Sequence, residues 1–115
     1  MRVLLCVALL SATTHAAAGG YPVSGEEWAS PRSGARVLAW PGVQAAVRDW
    51  QSRERQLLVI QHADEEEAAL RAIELRDWLV ALGLPPAALR QRVGATGAAA
   101  LLLSVEPVAA SGSAP

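Results

Sequence analysis

The chain has no lysine, no phenylalanine and a single cysteine among its 115 residues. Each shortage closes off some chemistry. Without lysine, the glycine pair in Gly94-Ala95-Thr96-Gly97 lacks the Lys-Ser/Thr that must follow in a phosphate-binding loop, and its spacing is wrong as well. That stretch reads as a turn. The lone Cys6 sits inside an apolar run behind Leu5, so it is misplaced for lipidation and leaves with the leader described below. What remains has no disulfide, no thiolate nucleophile and no sulfur metal ligand. Histidine is equally scarce, with His62 the only one beyond the leader. No serine stands in a Gly-x-Ser-x-Gly turn, and no two residues have metal-ligand spacing. The sequence therefore predicts no enzyme, no cofactor and no metal.

Charge of one sign is also missing in bulk. The net charge is −1 over the whole chain, which provides no broad attraction to nucleic acid or to anionic lipid. The longest early apolar run, Val3 to Ala12, is too short to span a hydrocarbon core of about 30 Å as a helix. With Arg2 before it and Ala16-Ala17-Ala18 after it, the run has the layout of a cleaved secretory signal peptide over residues 1–18. The expected location is periplasmic, with no transmembrane segment after cleavage. The rest is enough for one small domain.

Residues 19–36 mix Gly, Pro, Ser and charge without periodicity and are expected to form a flexible lead-in, with Trp28 as a candidate to dock onto the domain or a partner. Residues 109–115 (AASGSAP) read as a disordered tail, and the ordered domain is expected at 37–108. Gly34 to Trp40 is ambiguous between a short strand and the approach to a helix. Pro41 then suits a first helical position. Val43, Ala46, Val47 and Trp50 follow at i, i+3, i+4 and i+7 on one face of a helix ending near Arg55. Gln56 to Gln61 (QLLVIQ) predicts a short buried strand.

The best-defined unit comes next. Asp64 is placed to cap a helix, Glu67 three residues on completes a capping box, and the acidic first turn suits the positive helix end. Ala68, Ala72, Leu75, Leu79 and Leu82 form an apolar stripe, widened by Ile73 and Trp78. Gly83 is a left-handed stop, and Pro85-Pro86 cannot continue the helix. A short turn or helix is expected over Pro86 to Arg92, then a buried strand over Ala98 to Val105. Strand, helix and strand would make a right-handed parallel βαβ unit. The expected fold class is α/β, a small βαβ-containing sheet covered by two helices.

Across Pro41 to Val105 these residues resemble the OmpA-like periplasmic domain, a peptidoglycan-binding family. The likeness rests on the turn Gln61-His62-Ala63-Asp64, the pair Arg71-Ala72 and the ending Leu79-Val80-Ala81-Leu82-Gly83-Leu84-Pro85. The resemblance implies a non-catalytic cell-envelope protein. Asp64 would take the ammonium and Arg71 the carboxylate of a peptidoglycan stem, the latter by a fork lysine cannot copy. The loop between them is shorter here than in the family, and carries neither its Asn nor its Leu-Ser pair. Read on their own, Asp64 is a helix cap, Arg71 pairs with Glu67 four residues earlier, and His62 is a hydrogen-bonded residue at a strand end. The acidic run Glu65 to Glu67 is a solvated helix start rather than a calcium site. The alternative reading is a periplasmic protein–protein interaction module that kept the fold and lost the peptidoglycan site, with an envelope protein as partner.

Overall fold

The computed structural model describes residues 20–108. The expected signal peptide at 1–18 and the tail at 109–115 both lie outside them. The described elements are β1 (Tyr21–Val23), α1 (Gly25–Ala29), α2 (Gly34–Ala39), α3 (Pro41–Gln51), β2 (Gln56–His62), α4 (Glu66–Ala81), a 3-10 turn (Pro86–Ala88), β3 (Leu89–Val93) and β4 (Leu101–Pro107). The four strands form one mixed sheet in the order β1-β4-β2-β3. β2 and β3 are parallel, while β4 runs antiparallel to both β2 and β1.

Of the expected flexible lead-in at 19–36, the described residues 20–36 are ordered into secondary structure. They form β1 and α1 and begin α2. Pro22 is tolerated because β1 is an edge strand, where a missing N–H need break no ladder bond. The start of α1 is fixed by a full capping box: the Ser24 hydroxyl accepts from Glu27 N–H at 3.0 Å, and the Glu27 carboxylate accepts from Ser24 N–H at 2.9 Å. Trp28 is buried on that helix and stacks obliquely on Trp40, with ring centroids 5.8 Å apart. Among the described residues the first element of the fold is therefore at Tyr21–Val23, ahead of the expected Val37.

Gly34 to Ala39 is helical, and the chain breaks at Trp40, whose ψ of 127° is the extended conformation a following proline enforces. Pro41 opens α3, which ends at Gln51, four residues short of the expected Arg55. Val43, Ala46 and Val47 are buried and Trp50 is half-buried, as the spacing predicts. Gly42 meets the backbone of β1 so closely that a Cβ there would lie 2.0 Å from the Pro22 carbonyl oxygen.

The βαβ unit exists, but its second strand is β3. β4, expected to be parallel to β2, is antiparallel to it. Residues 94–100 join β3 to β4, and a link that short cannot make another parallel crossover. β3 escapes a pattern reading because only Leu89 in it is buried; Arg90, Gln91, Arg92 and Val93 are exposed on the edge. The stop of α4 is as expected. Gly83 has φ 110°, its N–H reaches Val80 C=O, and Leu84 N–H reaches Leu79 C=O, together a Schellman motif. The start differs. Glu65, not Asp64, is the N-cap and no side chain caps it. Glu67 does not reach back to complete a box; its carboxylate takes Arg71 instead, at 2.7 Å.

One core gathers Leu58 and Ile60 of β2, Leu101 and Leu103 of β4, Leu89, Val23, and the inward residues of α2, α3 and α4, with Trp28 and Trp40 at its side. Ala72, Leu75 and Leu79 carry the α4 stripe into it, while Ile73 stays exposed. Strand alternation sends Leu57, Val59 and Gln61 to the opposite sheet face.

Candidate functional site

Arg71 lies two turns into α4, half-buried, on the wall of a groove of about 430 Å³ between α1 and α4. Gly25, Trp28 and Ala29 face Leu70, Glu67 and Glu74 across it. The opposing elements are clamped by Arg32, in the segment after α1. Its Nε and Nη2 fork onto the two Glu74 oxygens at 2.5 and 3.3 Å, and Nη1 donates to Trp28 C=O at 2.5 Å. The same guanidinium lies 4.6 Å from the Trp28 ring centroid, a cation–π contact that ties the indole to α4. Glu74 is held in turn by Trp78 Nε1–H at 3.2 Å. The result is a groove with an aromatic floor, one apolar lip (Leu70) and two arginines, each already facing a carboxylate.

Asp64 is not part of that lining. It is exposed in the short link between β2 and the α4 N-cap, whereas Arg71 is carried into the groove by the helix. His62 is buried at the end of β2, with Nδ1 2.9 Å from Ala63 C=O. Among the described residues no group of three or more His, Cys, Asp or Glu is placed to hold a metal ion, and no helix is long and apolar enough to cross a membrane.

Sequence reading missed Trp28 and Arg32 as groove residues. Their contacts to α4 are long-range, but one local signal was available: Ser24-Gly25-Glu26-Glu27 is an S-x-x-E capping box that marks a helix start just before Trp28.

Two other polar constellations shape the surface. Tyr21 Oη–H donates to Asp49 Oδ2 at 2.7 Å, and Arg53 pairs with the other oxygen. The tyrosine hydrogen bond, reinforced by Arg53, holds the Asp49 carboxyl below its ordinary range, and the same bond together with burial raises the Tyr21 phenol. On the sheet face away from the core, Arg92 of β3 reaches over β2 to Glu106 of β4, with Nη2 2.5 Å from Oε2. Gln61 and Ser104 complete this strap at 3.2 Å each. The Arg92 hydrogen bond holds the Glu106 carboxyl below its ordinary range and raises Arg92 in turn, and on the same face Val59 is only 3% exposed although it points away from the core.

Compared with protein-family models, with curated proteins and with solved structures, the chain matches none of them.

Proposed function

We propose that this is a non-catalytic exported protein of the cell envelope, with an OmpA-like domain that contacts peptidoglycan through the groove beside Arg71. The observation that carries the reading is the setting of Arg71, a half-buried arginine on the wall of an open groove of about 430 Å³. Among the described residues its guanidinium makes a single hydrogen bond, to an exposed Glu67. An exposed pair of this kind contributes only about 0–1 kcal/mol, so a carboxylate ligand displaces Glu67 at little cost. Trp28 and Leu70 add apolar lining to the same groove for the rest of a peptide stem. The strand–turn–helix–strand course around Gln61 to Val93 supports the same family reading at the level of fold.

One observation favours the second reading, an interaction module without a ligand site. Asp64, which the resemblance pairs with Arg71, does not line the groove, and both groove arginines are already matched by carboxylates.

Co-sedimentation with purified peptidoglycan sacculi separates the two. The secreted protein is expected to pellet, and Arg71→Ala, shown folded by circular dichroism, is expected to remain in solution. Asp64→Ala reports whether the exposed link takes part. Failure of the wild-type protein to pellet removes the peptidoglycan reading and leaves the interaction module.

A further inference from the structure

The two edges of the sheet are unlike. β1 is three residues long with Pro22 in its middle, and the Pro22 carbonyl lies against Gly42 of α3, so it offers little to another strand. β3 runs for five residues without a proline, and among the described residues nothing pairs with its outer side. Gly94 N–H donates to His62 C=O at 2.9 Å. Alternation along the strand therefore turns the backbone of Arg90 and Arg92 toward β2 and that of Gln91 and Val93 outward. Their N–H and C=O groups form an open row.

The two faces of this edge differ in chemistry. Leu89 is in the core, so Gln91 and Val93 share the face that carries the helices, and Val93 is 55% exposed there. On α4, Glu67, Arg71 and Glu74 turn toward α1, which follows β1 at the far edge. At 100° per residue, Ala69, Ile73 and Val80 fall on the opposite flank, the one nearer β3. The link into α4 leaves β2 at His62, the register partner of Val93, so Ala69 and Ile73 lie toward the Val93 end of the edge. Ile73 is 45% exposed, and neither it nor Val93 belongs to the core. The other face carries Arg90 and Arg92. Arg92 is matched by Glu106, whereas Arg90 donates only to the carbonyls of Ala87 and Leu89, at 2.9 Å each. A strand added here therefore needs apolar side chains on one face and negative ones on the other. A second copy does not supply them. In a two-fold antiparallel pairing centred on Gln91, Arg90 and Arg92 would face each other across the seam, and like charges directly opposite are destabilising.

We infer that the outer edge of β3 takes up an extended segment of a partner protein in which apolar residues alternate with Asp or Glu: its backbone pairs with Gln91 and Val93, its apolar side chains lie against Val93 and Ile73, and a carboxylate meets Arg90. The surface shares no residue with the Arg71 groove and stands or falls separately from the peptidoglycan reading.

The test is titration of the full chain with the peptide acetyl-Val-Glu-Val-Glu-Val-amide, read by the backbone amide NMR signals of β3. The N–H signals of Gln91 and Val93 are expected to shift saturably and to gain protection from hydrogen exchange. Those of Arg90 and Arg92, already turned to β2, should keep the protection they have. The same peptide with lysine in place of glutamate is expected to bind at least about tenfold more weakly. Gln91→Pro removes one outward N–H and leaves the ladder to β2 intact, so it is expected to abolish binding at a nearly unchanged Tm. Arg90→Glu, at an exposed position, is expected to reverse the preference between the two peptides. The inference is overturned if no saturable shift occurs, if the lysine peptide binds as tightly, or if Arg90→Glu still prefers the glutamate peptide. Protection of Gln91 and Val93 N–H in the free protein would also overturn it. Protection that rises with protein concentration would assign the edge to a second copy, and constant protection would assign it to the chain itself.

Discussion

Gly42→Ala isolates the contact that seats β1. Gly42 is the second residue of α3, and a Cβ there would sit 2.0 Å from the Pro22 carbonyl oxygen and 2.9 Å from its carbon. Both are backbone atoms, so no side-chain rotation relieves the clash. In an open helix the change should stabilise by up to about 1 kcal/mol, because alanine is the better helix former. Overpacking of this kind costs about 1–3 kcal/mol and sometimes more. The clash wins, and the expected net loss is about 1–2 kcal/mol. For a domain of this size each kcal/mol moves Tm by about 4–8 °C. The assays are thermal unfolding and guanidinium unfolding, with the transition expected to shift at an unchanged slope. Gly25→Ala is the control, since a Cβ there meets nothing within 4 Å and its stability should hold or rise slightly. Tryptophan fluorescence adds a local readout: β1 leads into α1 through Ser24 alone, so displacing the strand should expose Trp28 and red-shift the emission. A Gly42→Ala protein as stable as wild type would refute the argument, because β1 could not then lie against α3.

Further outcomes follow from the same contacts. Ser24→Ala should cost about 1 kcal/mol through loss of the capping box and should loosen Trp28, seen as lower stability with a red-shifted emission. Leu75→Ala, at a fully buried position, should cost about 2–5 kcal/mol in denaturant unfolding, whereas Arg92→Ala on the exposed strap should cost no more than about 1 kcal/mol. The Tyr21–Asp49 bond should make stability pH-dependent at both ends. Asp49 titrates below its ordinary 3.8, so its contribution is present above that value and is lost as pH falls through the depressed one. Tyr21 titrates above 10.0, so its contribution is present below that value and is lost as pH rises through the raised one. Tyr21→Phe should therefore lower the denaturant midpoint at neutral pH and converge on wild type at both extremes; a constant difference across pH would refute the assignment.

What could be read from the sequence was local. The α4 stripe and its Gly83 stop, the apolar run of β2, the proline start of α3 and the Glu67–Arg71 pair each depend on residues a turn or two apart, and each is present. What could not be read was set by distant partners. β1 is three residues with a proline in the middle, and it is a strand only because Leu101 to Leu103 pair with it. β3 shows no alternation because its outer side and one face meet solvent. The direction of β4 followed from β3, so missing one misassigned the other. At the groove, Arg71 was visible by its spacing, but Trp28 and Arg32 arrive from α1 and the segment after it, and Asp64 stays in the link outside the groove.

The strand order also has a consequence for how the chain acquires its fold. β4, the last strand, sits between the first strand and β2, so β1 has no sheet partner until nearly the whole described chain has been made. β2 and β3 can pair earlier around α4, but the sheet's other half waits. Contacts of such long sequence separation slow folding. A chain emerging residue by residue therefore stays unable to complete its sheet until the final strand is free.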